Sequence, residues 1–571
     1  MITELKLMFG ATQLSPPLVF APKAVTVFVG PNNSGKSLVL REIGSTIFTP
    51  PTPQPYPYGI AWEGYIPPDR RRIVSGLTLR SLESAEILGR LEKTDTNGMA
   101  YLSSLLNFQN TETGYINAAK FLEDFRQNRT QLMPHAQLMV LRSQVEFLDG
   151  QRRLNLVDPR PSGSLRKSPM NHLQALFRDD ARRRRLADMT KEAFGMYFVI
   201  DPTNLIQLQV SMSPSLPNTI EEERSISDKA LDFFIKATPI SEMGDGVKAY
   251  TGILAAILCA DLKVIMIDEP DAFLHPPLAR RLGCILTTLA FERDGNVFAS
   301  THNSNFLMGC IQAGKPVNII RLTYQEALPT ARLLEAQRLR EMMRDPLLRS
   351  TRVMDALFHQ GAIVCEADTD RSFYQEINDR LLGANRQAAI DCIFLNAQNK
   401  QTVRRIVRPL RDMGIPAAAI IDLDIIIKKG TNNDLQDLME AAYVPDALRK
   451  GCGQLRGELE AAFKSKNLIP KRDGIKSLEE GHRESAEVLL RDLSEYGIFL
   501  TPVGELEKWL TFLGVPSNTS DQKRDWLPLI FDKMGTDPDE VGYLTPDDSD
   551  VWVFIQKVAE WIADPSRKGM P

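Results

Sequence analysis

One short glycine-rich segment limits the fold of this chain more than any other. Residues 30–37 read GPNNSGKS, directly after the apolar, β-branched run 24–30 and before the helical pattern 36–44. Glycines let backbone N–H groups surround a phosphate at the positive end of a helix, and G-x-x-x-x-G-K-[ST] between a strand and a helix is typical of such a loop. The sequence therefore predicts an ATP site in which Lys36 contacts the outer phosphates and Ser37 binds Mg²⁺. The residues predicted to contact the nucleotide here are Gly30, Asn33, Gly35, Lys36 and Ser37.

Two further strands end in side chains suited to the same site. The apolar strand 264–268 is followed by Glu269, so Asp268 and Glu269 stand side by side at its tip. We expect Asp268 to bind the Mg²⁺ and Glu269 to activate the attacking water. His302 follows the strand 296–300. Because strand tips on one edge of a parallel sheet converge, we expect His302 to reach the γ-phosphate.

The length and the order of these patterns predict more than one domain. The chain has 571 residues, whereas single hydrophobic cores stop growing at roughly 250–300 residues. Alternating strands and helices indicate an α/β fold with a largely parallel sheet. We predict an ATPase domain over 1–345, a second α/β domain over 346–515 and a helical C-terminal region over 516–571. Within the ATPase domain, polar and apolar helical patterns over about 60–200 predict a helical insertion.

The predicted second domain carries acids at the ends of its strands. Glu366 ends one apolar strand, and Asp370 follows four residues later. Asp422 and Asp424 are two residues apart on another strand, so we expect both carboxylates to lie on one face. Glu505 follows a third strand. Clustered carboxylates repel one another unless cations neutralise them, and two Mg²⁺ or Mn²⁺ ions about 4 Å apart are a common solution in nucleases. The predicted metal ligands of this domain are Glu366, Asp370, Asp422, Asp424 and Glu505.

Composition limits the cellular location and the partners that we expect for this chain. No apolar run approaches the roughly 20 residues that cross a bilayer, and the N-terminus MITELKLMFG lacks the features of a secretory signal. We therefore expect a cytoplasmic protein without a membrane partner. The six cysteines form no CxxC pair, so we expect them to be reduced. The net charge of −4 does not indicate a nucleic-acid binder, and the arginine run 182–185 is more typical of a salt-bridged face.

The ATPase motifs carry a specific resemblance. GPNNSGKS, MIDEPDAFLHP and STHNSNFL resemble the ABC-type ATPases of the SMC, RecF and OLD (overcoming lysogenization defect) group. The segment EMGDGVKAYTGILAAIL lies where that group carries its signature motif, which touches the partner's nucleotide across a dimer. Gly244, Asp245 and Gly246 replace the usual serine-glycine-glycine, so the resemblance implies nucleotide contacts without the serine. Gln151 is the candidate for the Q-loop.

The acidic strand ends of the second domain resemble a Toprim domain. CEADTD stands in place of EGxxD, with Ala367 where the glycine is usual, and DLD stands in place of DxD. Lys400 lies where relatives carry a lysine that contacts phosphate. An ATPase followed by a Toprim domain is the order of the OLD family. The resemblance thus implies ATP, Mg²⁺ or Mn²⁺ as cofactors, and catalytic roles for Glu269, His302, Glu366 and Asp422.

These features together predict an ATP-regulated, divalent-metal-dependent DNA endonuclease or nickase. The resemblance implies DNA as a partner, a homodimer or higher homo-oligomer formed through the ATPase domain and its insertion, and a role in anti-phage defence with a partner protein of such a system. Two alternatives stay open. One is a RecF-like, non-nucleolytic DNA-binding ATPase, against which the four core acids argue. The other is an ATP-controlled assembly scaffold for a separate effector.

Overall fold

The chain forms two compact units, Met1–Arg340 and Glu341–Pro571. The computed structural model describes residues 1–12, 14–48, 66–80, 143–164, 166, 169–259, 261–293, 295–325, 328–428, 433–517, 519–540 and 542–571, and the short pieces 99–101, 106, 115–117, 123, 127 and 140. None of the helices among these residues has the length and apolar character to span a membrane.

The first unit contains fifteen described strands and ten described helices. The strands are β1 (Ile2–Leu7), β2 (Val19–Phe20), β3 (Val25–Val29), β4 (Val74–Leu79), β5 (Met99–Tyr101), β6 (Tyr115–Asn117), β7 (Val145–Leu148), β8 (Arg160–Pro161), β9 (Tyr197–Asp201), β10 (Gln207–Ser213), β11 (Thr238–Pro239), β12 (Val264–Asp268), β13 (Asn296–Ser300), β14 (Val317–Gln325) and β15 (Leu328–Leu334). The helices are α1 (Lys36–Ile47), α2 (Gly150–Asn155), α3 (His172–Arg178), α4 (Asp180–Phe194), α5 (Ile220–Arg224), α6 (Asp228–Ile235), α7 (Asp245–Cys259), α8 (Pro276–Glu292), α9 (Ser304–Gln312) and α10 (Ala336–Arg344), the last of which continues into the second unit.

A six-stranded sheet in the order β15-β14-β3-β13-β12-β7 forms the centre of the first unit. All neighbouring pairs are parallel except β14 and β15. Every residue of β3 and β13 is buried, as expected for parallel strands covered by helices on both faces. In the register of β12 and β13, Asp268 stands opposite Ser300. The sheet therefore confirms the predicted α/β fold and aligns two of the strand tips discussed above.

The prediction of a helical insertion over about 60–200 is wrong for part of this range. β4 pairs with β1, and β7 joins the central sheet beside β12. The buried Glu42 of α1 explains the placement of β4, because its carboxylate accepts the backbone N–H groups of residues 72–74 at 2.7–2.9 Å. The helices α2 to α4 do lie in the range. Residues 81–98 and most of 102–139, which the dimerisation hypothesis involves, lie outside the described residues.

The second unit is built on a four-stranded parallel sheet in the order β17-β16-β18-β19. Its strands are β16 (Gly361–Cys365), β17 (Cys392–Asn396), β18 (Ala417–Ile421) and β19 (Ile498–Leu500). Its further helices are α11 (Pro346–Ser350), α12 (Asp368–Gly383), α13 (Lys400–Asp412), α14 (Asp434–Ala441), α15 (Asp446–Ser465), α16 (Pro470–Asp473), α17 (Glu480–Ser494), α18 (Ser520–Met534) and α19 (Asp550–Ala563). The four helices α14 to α17 follow β18 in the chain and precede β19. A long helical segment therefore connects two strands that are neighbours in the sheet.

The C-terminal region forms the helices α18 and α19, but these are not separate from the sheet of the second unit. Trp526 of α18 and Trp552 of α19 are each 1% exposed, and the rings of Trp526 and Phe373 lie 5.3 Å apart. Both tryptophans belong to the same apolar cluster as residues of β16 and α12. Residues 516–571 therefore complete the core of the second unit.

A buried arginine ties the end of the chain to this core. Arg411 of α13 is fully buried and donates to the carbonyl oxygens of Ala442, Tyr496 and Gly569 at 2.8 Å each. Burial lowers its pKa to about 9. Its planar guanidinium satisfies several carbonyls at once, which a lysine cannot do in the same geometry.

The core position of Trp526 makes a testable prediction. We expect Trp526→Ala to lower the free energy of unfolding of the second unit by about 3–5 kcal/mol, because the change leaves a cavity beside Phe373. Urea unfolding of the full chain, followed by circular dichroism, measures this loss. Phe512→Ala is the control, since the Phe512 side chain is 67% exposed and its loss should cost less than about 0.5 kcal/mol. Equal midpoints for both variants would contradict the packing described here.

Candidate nucleotide and metal sites

The glycine-rich loop lies between β3 and α1, as predicted, and its backbone explains its sequence. Gly30, Asn33 and Gly35 have φ angles of 145°, 60° and 91°. A Cβ on Gly30 would lie 2.0 Å from the carbonyl oxygen of Leu322, so no larger residue fits there. The buried Lys36 ammonium donates to the carbonyl oxygens of Gly30 and Pro31 at 2.8 and 2.6 Å. The Lys36 side chain therefore lies against the backbone of the loop and is held by two of its carbonyl oxygens.

Ser37 and Asp268, 231 residues apart in the chain, meet at the end of the loop. The Ser37 hydroxyl donates to Asp268 Oδ1 at 2.8 Å. Ser300, which stands opposite Asp268 on β13, donates to the same oxygen. A hydroxyl and a carboxylate in contact are hard oxygen ligands of the kind that Mg²⁺ prefers. The structure therefore brings together the two residues for which the sequence predicted a Mg²⁺ role.

Glu269 and His302 also lie together, at the tips of β12 and β13. His302 Nε2 is 3.2 Å from Glu269 Oε1, and both side chains are partly exposed. Glu269 has a φ of 51°, a left-handed conformation that costs a side-chain-bearing residue about 1–2 kcal/mol. Its backbone N–H donates to the Ser300 carbonyl at 3.0 Å. Such strain in a pocket of polar groups is typical of a functional turn.

Sequence reasoning missed Arg153, which contacts this turn. Arg153 of α2 is 2% exposed, and it donates to the carbonyl oxygens of Glu269 and Asp149. Burial lowers its pKa, an effect that the nearby Asp271 carboxylate opposes. Burial also raises the pKa of Asp271 to about 6, and the Thr301 hydroxyl donates to that carboxylate at 2.6 Å. Arg152 and Arg153 are adjacent and both follow β7, so the sequence gives no reason to choose Arg153.

The predicted signature segment and Q-loop candidate occupy the starts of two helices. α7 begins at Asp245, whose carboxylate is 3.5 Å from the Lys248 ammonium. A Cβ on Gly246 would lie 2.6 Å from the Phe273 carbonyl, so this glycine allows close packing, whereas Gly244 has open space around it. Gln151 lies in the first turn of α2, after the sheet strand β7, and is exposed. The contacts of these residues with a nucleotide stay predictions.

The arginine run of α4 is paired with acids, in line with the predicted salt-bridged face. Arg182 contacts Asp179 at 3.2 Å, and Arg185 contacts Glu292 at 2.8 Å. Arg183 is buried and contacts Asp180 at 2.7 Å. Arg182, Arg183 and Arg185 therefore form ion pairs within the first unit.

In the second unit, the ends of the neighbouring strands β16 and β18 bring four of the predicted acids into one cluster. Glu366 Oε1 accepts the backbone N–H of Asp422 at 3.0 Å. Asp370 lies in the first turn of α12, and its Oδ2 accepts the backbone N–H of Ala367 at 3.1 Å. The prediction that Asp422 and Asp424 lie on one face of a strand is wrong. The strand β18 ends at Ile421, and Asp424 lies in the short 3-10 turn that follows Asp422. We call Glu366, Asp370, Asp422 and Asp424 the acidic cluster.

Three members of the acidic cluster hold their protons unusually strongly. Burial, with repulsion from Asp422, raises the pKa of Glu366 to about 8. The same two causes raise the pKa of Asp370 to about 7. Burial raises the pKa of Asp422 to about 6 against the opposing effect of Lys471. Buried carboxylates that repel one another in this way are poised to accept a cation.

Lysines pair with the acids in this structure. Lys471 of α16 contacts Asp422 Oδ2 at 2.7 Å, and Lys400 contacts Asp424 Oδ2 at 2.7 Å. Lys523 of α18 contacts the buried Glu505. Sequence reasoning predicted Lys400 near the site but missed Lys471 and Lys523, because both come from helices distant in the chain.

The donor set fits a hard divalent cation in its chemistry, since every member is a carboxylate. In the part of the chain that the structure describes, however, no three His, Cys, Asp or Glu side chains stand together as a ready cage for a metal ion. Glu505 directly follows Gly504, whose carbonyl oxygen accepts the Leu423 N–H at 2.9 Å.

Two family models match the chain. Residues 164–308 match a family described as "AAA domain, putative AbiEii toxin, Type IV TA system". Residues 357–424 match "Overcoming lysogenization defect protein-like, TOPRIM domain", a span that contains the whole acidic cluster. These matches confirm the resemblance to an OLD-type fusion of an ATPase domain and a Toprim domain. No curated protein matches the chain.

Solved structures similar to the chain include heads of SMC proteins and a part of an ABC transporter complex. An SMC head bound to the C-terminal winged-helix domain of ScpA is 12% identical, with 60% of this chain and 99% of that chain covered and a TM-score of 0.33. The SMC head domain from Thermotoga maritima is 12% identical, with coverages of 58% and 99% and a TM-score of 0.28. CbiO1 from Clostridium perfringens is 12% identical, with coverages of 62% and 97% and a TM-score of 0.26.

The position of Arg153 predicts a selective defect in ATP hydrolysis. If Glu269 activates the attacking water, Arg153→Ala should slow turnover roughly ten- to a hundredfold, because the turn that carries Glu269 loses its support. ATP affinity should stay unchanged, since the contacts of Arg153 are with the Glu269 and Asp149 carbonyls. Steady-state hydrolysis and equilibrium ATP binding test this. Arg152→Ala is the matched control, and equal turnover of both variants would refute the idea.

The raised pKa of Glu366 predicts how stability depends on pH without metal. An unfolded glutamate ionises near pH 4.3, whereas folded Glu366 ionises at about 8, so the folded state binds more protons between these values. Stability should therefore fall as the pH rises from about 5 to 8. In EDTA, Glu366→Gln should reduce this fall in melting temperature. Glu495→Gln, which removes an exposed partner of Lys568, should not change it. Identical pH profiles of Glu366→Gln and wild type would contradict the assignment.

Proposed function

Because the chain joins an ATPase domain to an OLD-like Toprim domain, we propose that it is an ATP-regulated, divalent-metal-dependent DNA endonuclease or nickase. One observation carries this proposal. The Glu366 carboxylate accepts the backbone N–H of Asp422, so the ends of two adjacent strands hold a group of repelling acids. Asp422 is buried and the other three acids of the cluster are partly exposed. Such a group destabilises the metal-free fold, and cation chemistry supplies a reason for keeping it.

In the ATPase domain, the glycine-rich loop and Lys36 would bind the phosphates, and Ser37 with Asp268 would hold the Mg²⁺. Glu269 would take the proton of the attacking water, and His302, 3.2 Å from Glu269, would contact the γ-phosphate. Arg153 would keep the Glu269 turn in its left-handed conformation. This division of roles is supported by the convergence of the β3, β12 and β13 tips.

In the Toprim domain, Glu366, Asp370, Asp422 and Asp424 would hold Mg²⁺ or Mn²⁺, and Glu505 would join them after leaving Lys523. When bound, the metal supplies an activated water and offsets charge on the leaving oxygen. Glu366 and Asp370, whose pKa values lie at about 8 and 7 in the metal-free protein, would release their protons as the cation binds.

We extend the proposal to partners. ABC-type sites are completed by the signature motif of a second copy, so the segment Gly244–Gly246 would face the nucleotide of a partner chain in a homodimer or larger assembly. DNA would lie over the acidic cluster, where Lys400, Lys471 and Lys523 supply positive charge for phosphates. The protein would act in anti-phage defence in the cytoplasm, with a further protein of such a system as a partner.

A non-nucleolytic DNA-binding ATPase is the second candidate. The observation that favours it is the pairing of Asp422, Asp424 and Glu505 with lysines, because acids neutralised in this way need no metal. The raised pKa values of Glu366 and Asp370 favour the nuclease, because burial and repulsion from Asp422 outweigh the opposing effect of Lys471 on Asp370.

A plasmid-nicking assay separates the candidates. Wild type with Mn²⁺ should convert supercoiled DNA to the nicked or linear form, and Asp422→Asn should reduce this rate by roughly a hundredfold or more, because it removes one ligand charge. Asp379→Asn, which changes an exposed acid outside the cluster, is the control. Lys36→Ala, which removes the phosphate-binding lysine, should abolish any effect of ATP on cleavage. Intact DNA with wild type under every nucleotide and metal condition would leave the non-nucleolytic candidate.

A further inference from the structure

Lys471 is the lysine that contacts the acidic cluster most directly. Its ammonium lies 2.7 Å from Asp422 Oδ2, and the Asp422 side chain is only 9% exposed whereas the Lys471 side chain is 42% exposed. Asp424 and Glu366 are the next acids that act on the Lys471 charge. One end of this side chain is therefore held in a buried acidic site while the rest of it borders solvent.

The backbone around Lys471 is packed tightly against the loop that leads to Glu505. A Cβ on Gly504 would lie 2.4 Å from the Lys471 carbonyl oxygen, and a Cβ on Gly474 would lie 2.8 Å from the Val503 carbonyl carbon. The Ile475 N–H donates to the Pro502 carbonyl at 3.0 Å. These close approaches fix the backbone of α16, so the lysine is delivered to Asp422 by the fold and not by chance rotation of a surface side chain.

A lysine in this position and a divalent cation are alternatives. Both neutralise Asp422, and a carboxylate oxygen that accepts an ammonium at 2.7 Å cannot bind a metal at about 2.1 Å in the same place. Two cations so close together would also repel strongly in a buried site. The absence of a ready metal cage among the described acids agrees with this exclusion, since Lys471 and Lys400 hold the two aspartates that the cage needs.

We propose that Lys471 is a built-in counter-cation that competes with the divalent metal for Asp422 and thereby sets the metal concentration at which the nuclease centre assembles. The inference rests on the proposed function. In the metal-free protein Lys471 stabilises the Asp422 carboxylate, and the metal binds only after the ammonium leaves. The partly exposed side chain allows this departure without movement of the α16 backbone. Lys400 is less suited to the same role, because its side chain is only 11% exposed.

Calorimetric titration with Mn²⁺ alone, on the full chain without nucleotide, tests the competition. Lys471→Ala should bind Mn²⁺ roughly tenfold more tightly than wild type, which corresponds to about 1.4 kcal/mol. Lys471→Met keeps the aliphatic stem and should give the same shift, so a folding defect of the alanine variant does not decide the result. Lys466→Ala is the matched control, because Lys466 lies in the same helical segment and pairs with the exposed Glu479.

The outcomes separate this inference from the proposed function. Mn²⁺ affinity that is unchanged or weaker in both Lys471 variants overturns the competition, because a purely structural lysine does not oppose the metal. An Asp422→Asn variant that binds Mn²⁺ as tightly as wild type shows instead that the metal does not use the acidic cluster, and the proposed nuclease centre then fails. Tighter binding in both Lys471 variants, with loss of binding in Asp422→Asn, supports both.

Discussion

Both candidate sites depend on the parallel pairing of neighbouring strands. In the first unit, β12 pairs with β13 so that Asp268 stands opposite Ser300, and the hydroxyls of Ser300 and Ser37 meet on one Asp268 oxygen. In the second unit, β16 pairs with β18, and the residues that follow the two strands are joined by the bond from the Asp422 N–H to Glu366. Parallel strands end at one edge of a sheet, and each strand enters the next helix there. Parallel pairing therefore brings side chains that are far apart in the sequence close together in the fold.

The two sites manage buried negative charge in different ways. At the nucleotide site, two hydroxyl groups donate to Asp268, and the buried Arg153 donates to the Glu269 carbonyl. Neutral donors and one cation therefore compensate the negative charge there. At the acidic cluster, lysines pair with Asp422 and Asp424, while Glu366 keeps a pKa of about 8. Lysines on mobile stems can exchange with other cations, whereas an arginine held by backbone carbonyls cannot do so without disturbing the turn. The first arrangement favours a fixed geometry, and the second favours exchange.

The second unit also shows how a sheet of four strands obtains a sufficient core. Its strands are short, and the helices α18 and α19 supply Trp526 and Trp552, which pack on residues of β16 and α12. Arg411 then binds the carbonyl of Gly569, close to the end of the chain. The same C-terminal helices carry Lys523, which contacts Glu505. The region that stabilises this unit therefore also delivers a charged residue to the edge of the candidate site.

The sequence by itself determined the class of the fold and most of the acids at the two sites, because these depend on short patterns: a strand, a loop and a helix around GPNNSGKS, and carboxylates directly after apolar strands. It did not determine that residues 74–79 and 145–148 join sheets of the ATPase, since a short strand is recognisable only through its partner. Nor did it identify Arg153, Lys471 or Lys523, whose neighbours in sequence are equally charged. Only the tertiary structure identified these residues and strands. A lysine beside Asp422 and a lysine in solvent have the same residue type and differ only in burial and in their partners.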